Sequence, residues 1–433
     1  MVTVTSFLII RSVLCDPLSG KGLLSPFFRR QHPSQLSSFL SPVFAILCLL
    51  LTTVAFAAPI DDPALQALLE TAPTARDYPG AHAVCLLREM ELTVDAQGGT
   101  VVRDRKLVTI LTPQGLALAQ WSIPYDKSCE VLEVRTARTL VQGQAYALDP
   151  KQVVESAVYP GMAWYDALTL RRFPLPGAVV GATLEVETVF RRPTPRIGGE
   201  FSTRLPQQMT YPVREMRYTL RAPAALPLAV RFAGMAAPEV QQRAEGDQRV
   251  TRWRLIDVPA FKVTESQTPP ASDLTASARV CSLASWEPVA AWYAKLTAGK
   301  DVLTPELTKL AKAKTKGCET VEAKIAALHK VVRELPYVAI EMGTLSDMPH
   351  SPKEVAEHQY GDCKDKATLL RALLKAVGVA SDYVLVRTTD RGALDRTCYS
   401  PAEFNHVILA VKTAEGDRFL DATLADCPAD LLP

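Results

Sequence analysis

The sequence predicts an α+β protein, with an N-terminal antiparallel, β-sandwich-like domain followed by a smaller core of helices and a short sheet. Three observations carry this expectation. From Ala81 to Phe261 apolar and polar residues alternate mainly with a period of two. Beyond Trp286 the period becomes helical. After the last helical stretch come two short apolar, strand-like segments, one holding a histidine and the other an aspartate.

A chain of 433 residues is too long for one ordinary core, so more than one domain is expected. A net charge of +2 supplies no basic field for nucleic acid. Thirty-two prolines against 21 glycines point to turns and edge strands rather than one long helical bundle.

Residues 1–57 read as an export signal. Phe44 to Phe56 is continuously apolar, Arg29 and Arg30 lie upstream, and Ala55-Phe56-Ala57 has the small-x-small pattern of a cleavage site. The apolar stretch is shorter than the roughly 20 residues of a membrane-spanning helix. The expected location is periplasmic or secreted, with membrane contact only through an uncleaved signal segment. Residues 1–28 exceed what a signal needs and read as an extension from an early start codon. In an oxidising compartment disulfides are permitted. Of the cysteines at 85, 129, 281, 318, 363, 398 and 427, Cys398 and Cys427 are the easiest pair to propose. Spacing leaves the connectivity open, and buried thiols fit equally well.

Residues 58–272 form the expected β-rich domain. Leu184, Val186, Thr188 and Phe190 alternate with Glu185, Glu187 and Val189, and Met216, Tyr218 and Leu220 with Arg217 and Thr219. Such runs between Pro, Gly and Asp clusters predict about eight to twelve antiparallel strands with one face wet. The domain holds no catalytic constellation, and its histidine, His82, reads as a surface or turn residue. Glu265 to Asp273 reads as a boundary. Residues 273–318 read as a helical linker, with Thr304-Pro305-Glu306 as a helix start. Residues 319–433 are the expected core. Val321, Ile325, Leu328, Val332 and Leu335 line one helix face, with His329 beside it as a structural histidine.

The most informative run is Tyr360-Gly361-Asp362-Cys363-Lys364-Asp365-Lys366-Ala367. Asp362 is a suitable N-cap with Asp365 three residues on, a variant of the capping box. Ala367, Leu370, Leu373, Leu374 and Val377 continue the helix, and Gly378 ends it. Cys363 therefore falls at the first helical position, where unpaired N–H groups and the helix dipole favour a thiolate and can stabilise an oxyanion. His406, in the strand-like Phe404 to Val411, is the candidate base. Asp421, in Arg418 to Thr423, is the candidate orienting carboxylate. The two strands can pair as a hairpin. Lys364 and Lys366 read as facing solvent or holding the helix start through ion pairs. Tyr360 and Gln359 are candidate oxyanion donors that the spacing does not distinguish.

The stretch GDCKDKATLLRALLKAVGV, followed by FNHVILAV and FLDAT, resembles the transglutaminase-like core of bacterial exported proteins. The region before it resembles the domain of unknown function that often precedes that core. The resemblance covers roughly residues 60–433 and implies a papain-like fold with a Cys-His-Asp triad at Cys363, His406 and Asp421. It further implies chemistry on peptide or protein amides, as protease, amidase or cross-linking acyltransferase, without a cofactor. Such cores usually continue with more sheet past the aspartate strand, whereas this sequence stops at Pro433. A competing reading is a non-catalytic binding or assembly module on the same scaffold, with a protein partner for the β domain. A third, metal binding by His350, His358, Asp362 and Cys363, matches no common zinc spacing.

Overall fold

The computed structural model describes residues 57–158, 168–262, 268–338 and 347–432. The expected export signal up to Phe56, with Arg29 and Arg30, lies outside the described residues, as does 265–267 of the expected boundary. Among the described residues no helix is long and apolar enough to cross a membrane.

A nine-stranded sheet dominates the first half. Its order is β1 (Ala57–Pro59), β6 (Gln144–Ala147), β5 (Val131–Val141), β9 (Thr183–Arg192), β3 (Thr100–Ile110), β2 (Ala83–Val94), β11 (Val213–Pro223), β14 (Gln248–Val258) and β13 (Val240–Glu245). Neighbours are antiparallel except β2 and β11, which run parallel with Val213 opposite Cys85. The long excursion of chain between those two strands makes that pairing possible, and local periodicity carries no sign of it. The helix α1 (Pro63–Glu70) and a three-stranded sheet of β4 (Gln120–Asp126), β8 (Leu168–Pro174) and β7 (Val154–Ala157) flank it.

The alternation in β9 has a physical reading. Leu184 and Val186 pack with Ile110 and Phe173 in an apolar cluster. On the opposite face Glu185 and Glu187 enter a cross-strand ladder of ions. Arg105 and Arg138 both reach Glu185 at 2.6 Å, and Arg103 reaches Glu187 at 2.8 Å. The polar face is thus held by cross-strand pairing rather than by water alone.

A second small sheet, in the order β10 (Ser202–Pro206), β15 (Ser277–Cys281) and β12 (Ala229–Ala233), faces the large one. Leu205, Ala278 and Val280 share a core with Met216, Tyr218 and Trp253, which gives the sandwich-like contact.

The expected linker at 273–318 is corrected. After the short α2 (Ala271–Leu274), its residues 277–281 are β15, the middle strand of that second sheet. Its helices α3 (Glu287–Thr297) and α4 (Pro305–Lys314) supply Val289, Tyr293, Leu307 and Ala311 to the second core. A five-residue strand is too short to display a period, and the apolar faces of both helices must be buried somewhere.

The second core surrounds α7 (Cys363–Ala376). Packed with it are α5 (Val321–Arg333), α6 (Pro352–His358) and the sheet β16 (Ser381–Val386), β17 (His406–Thr413), β18 (Gly416–Leu420). Leu370, Leu373 and Leu374 of α7 are fully buried against Val407, Leu409 and Val411 of β17. The helix is apolar on most sides because it runs through the middle of the core. Val377 is its C-cap and Gly378, at φ +78°, reverses the chain so that Val379 N–H bonds the Leu374 carbonyl at 2.9 Å.

Candidate active site

The capping box at the start of α7 forms as the sequence suggests. Asp362 accepts from the Asp365 N–H at 3.2 Å, and the Asp365 carboxylate accepts from the Asp362 N–H at 3.3 Å. Gly361 is required here, because a Cβ at that position would lie 2.8 Å from the Asp365 Cβ. The same residue pairs with the segment entering from α5: Gly361 N–H bonds the Pro336 carbonyl at 3.3 Å, and Val338 N–H the Gly361 carbonyl at 3.1 Å. Cys363 is thereby fixed as the first residue of α7, half-buried at the floor of a cleft. The capping box takes the Asp365 N–H, and the Lys366 N–H bonds the Asp362 carbonyl at 3.0 Å. The N–H groups of Cys363 and Lys364 come before these, at the open end of the helix.

The hairpin β17–β18 delivers the other two residues. Its ladder pairs Leu409 with Leu420, so Asp421, one residue beyond β18, returns to the His406 end of β17. His406 Nε2 lies 2.7 Å from Asp421 Oδ2. The other Asp421 oxygen accepts from the Thr423 N–H at 2.9 Å and the Thr423 hydroxyl at 2.6 Å. His406 and Cys363 line the same cleft. The structure thus brings together all three residues singled out from the sequence.

Electrostatics follow from this burial and pairing. Burial disfavours a charged His406, but the hydrogen bond to Asp421 and the neighbouring Cys363 sulfur outweigh it, and its pKa is pushed up to about 10. Burial works against the Asp421 carboxylate too, yet His406 and Thr423 hold it below the usual range.

The cleft above Cys363 has a volume of about 520 Å³. Trp292, Tyr337 and Phe404 give it apolar and aromatic wall, and Arg196, Asp347 and Asp390 give it charge. Arg196 Nε and Asp347 Oδ2 pair at 3.1 Å across its rim. At Arg196, Pro401 and Ala402 the cleft adjoins a second cavity of about 350 Å³.

Several supporting residues escaped the sequence reading. Lys364 does form an ion pair at the helix start, with Asp362, but it is 2% exposed rather than facing solvent. Burial would lower its pKa; the Asp362 and Asp365 carboxylates raise it instead. Lys366 is fully buried, a second correction. Its ammonium donates to the Leu335 carbonyl at 2.7 Å and the Arg333 carbonyl at 3.3 Å, satisfying the C-terminal end of α5. Burial brings its pKa down to about 8. His329 is buried and its Nε2–H donates to the Asp421 carbonyl at 2.9 Å. His350 holds Asp365 through its backbone N–H at 2.8 Å and Nδ1 at 3.1 Å, and His358 caps its own helix through Glu354. Only the place of His329 and Lys366 on otherwise apolar faces could have signalled their roles. His82 is exposed at a bend before β2, the surface position expected of it, and bonds Thr112 at 2.9 Å.

The suggested Cys398–Cys427 pair is also corrected. All seven described cysteines are free. Cys427 Sγ lies 3.4 Å from the Leu431 carbonyl, whereas Cys398 follows Thr397, whose carbonyl lies 3.9 Å from Cys281 Sγ. Cys427 lies instead against the end of α5, where Arg333 donates to its carbonyl at 2.8 Å.

Comparison with known proteins agrees with this architecture. A family model described as the transglutaminase-like superfamily matches residues 308–421. A second, for a domain of unknown function with solved structures (DUF3857), matches residues 96–262. A solved structure named as a putative protease from Parabacteroides distasonis is similar at 18% identity with a TM-score of 0.67, covering 80% of this chain and 68% of that one. A second, named as a putative cysteine protease from Cytophaga hutchinsonii, aligns at 14% identity with a TM-score of 0.24, over 52% of this chain and 78% of its own. A search of curated proteins gives no match. The chain thus carries two segments in tandem, 96–262 matching the DUF3857 model and 308–421 matching the transglutaminase-like superfamily model.

Proposed function

We propose that the chain is a thiol acyl-transfer enzyme acting on peptide or protein amides, in the periplasm or outside the cell. Cys363 is the nucleophile, His406 the acid–base and Asp421 the residue that orients the imidazole. The observation that carries this reading is the 2.7 Å bond between His406 Nε2 and Asp421 Oδ2, made where His406 and Cys363 line one open cleft.

In the proposed reaction the Cys363 sulfur attacks the amide carbonyl, and negative charge moves to the carbonyl oxygen near the N–H groups of Cys363 and Lys364. The imidazolium of His406 then gives its proton to the leaving nitrogen, the C–N bond breaks, and a thioester remains. Neutral His406 next takes a proton from water or from a second amine, which attacks the thioester and releases the thiolate. Asp421 keeps the Nε2 proton in place, so Nδ1 is the nitrogen that exchanges protons with the sulfur.

The test is amide turnover by the purified chain and by Cys363→Ala, followed both as ammonia release from a peptide carboxamide and as incorporation of a fluorescent primary amine. The expected result is turnover by the wild type and none by a folded Cys363→Ala variant. Ammonia release without incorporation identifies a hydrolase, and incorporation identifies a transamidase. Equal turnover by the variant would remove Cys363 from the chemistry.

A further inference from the structure

The chain from Arg387 to Asn405, between β16 and β17, forms one wall of the cleft and leads directly into His406. It is docked on the second small sheet of the first domain at many points. Arg279 of β15 pairs with Asp395 at 2.7 Å, and Arg231 of β12 donates to the Thr397 carbonyl at 3.2 Å. Asp273 accepts from the Ala393 N–H at 2.9 Å, and Leu283 bridges Tyr399. At the centre of this contact sit two thiols. Cys281, the last residue of β15, is 2% exposed, and its sulfur lies 3.9 Å from the Thr397 carbonyl. Cys398, the next residue after Thr397, is 4% exposed, which places a second buried thiol beside that of Cys281.

We propose that Cys281 and Cys398 are a disulfide-forming pair that staples the cleft wall to the first domain. Two buried thiols on adjoining segments, far apart in the sequence and already fixed by neighbouring ion pairs and a β-bridge, need little backbone movement to bond. The oxidant is an external disulfide, either a small molecule or an oxidoreductase. Cys281 attacks first: the neighbouring Cys398 thiol holds that of Cys281 below the usual range, burial opposes this, and the Arg231 guanidinium adds to it. Its thiolate attacks one sulfur of the external disulfide, the S–S bond breaks, and one thiolate leaves. Cys398 then loses its proton and attacks the Cys281 sulfur of the mixed disulfide, expelling the second thiolate. Two protein thiols are oxidised and one external disulfide is reduced to two thiols.

The experiment equilibrates the full-length chain in glutathione buffers of graded redox potential, alkylates remaining thiols under denaturing conditions, and maps the digest without reduction by mass spectrometry. The expected result is a cross-linked peptide pair containing Cys281 and Cys398 that disappears in reducing buffer. The oxidised chain should melt at least about 5 °C above the reduced one, because the bridge closes a long loop. The Cys281→Ser/Cys398→Ser variant should lack that increment. Recovery of both cysteines as alkylated free thiols in the most oxidising buffer would overturn the proposal, as would recovery of Cys398 joined to Cys427. The wild-type peptide map decides the matter even if the variant folds poorly.

Discussion

His329 and His406 grip the same residue from opposite sides. His329 holds the Asp421 carbonyl at 2.9 Å, and His406 bonds the Asp421 carboxylate at 2.7 Å. The helix α5 thus sets the position of the residue that orients the proposed base. His329→Ala should cost about 1–3 kcal/mol of stability, since it leaves a buried carbonyl without its donor. It should also lower kcat more than it raises KM. Urea denaturation and steady-state kinetics check the two effects separately.

Asp421→Asn tests orientation rather than charge alone. The amide can still reach Nε2, but it no longer selects the tautomer that leaves Nδ1 free to exchange a proton with the thiol. Turnover should fall by roughly 10²–10⁴-fold, the range of comparable changes in other triads. A loss below about tenfold would indicate that Asp421 serves the fold and not the reaction.

The His406–Asp421 pair predicts a pH-dependent stability. The folded pKa of His406, about 10, lies above its ordinary value of 6.5. Between those limits the folded state holds a proton that the unfolded state has released, so this contribution is complete below pH 6.5 and is lost as pH rises towards 10. The slope is roughly 1.4 kcal/mol per pH unit at most. Denaturant titrations at pH 6, 7 and 8, below the window in which Lys366 titrates, should show the decline in wild type and a flatter profile in His406→Ala.

Lys366 has the opposite sign. Its folded pKa, about 8, lies below its ordinary 10.5, so the cost of burying its charge is complete below pH 8 and is relieved as pH rises towards 10.5. Lys366→Met removes this dependence. The stability of wild type relative to the variant should therefore increase between pH 8 and 10.5, as read by denaturant titration of both proteins in parallel.

How much of this was legible in the sequence differs from element to element. The start of α7 was readable to the residue, because a capping box and a terminal glycine are local features. The hairpin of His406 and Asp421 was also readable, since two short apolar runs across a Gly-Asp turn have few other ways to pair. The parallel pairing of β2 with β11 was not, because strand partners distant in sequence leave no periodic trace. Nor was β15, a short strand inside a stretch dominated by helical signals. Lys366 was misread because charge suggests solvent, whereas here the ammonium satisfies carbonyls at the end of another helix. Cys281 and Cys398 were separated for the same reason as β2 and β11: their contact exists only once the two domains meet.

The central claim is that His406 activates the Cys363 sulfur. The most direct measurement is the second-order rate of iodoacetamide alkylation at Cys363, at mildly acidic pH, in wild type and in His406→Ala. The account predicts that wild type reacts at least about tenfold faster than both the variant and a free cysteine peptide. Equal rates in the three would contradict it.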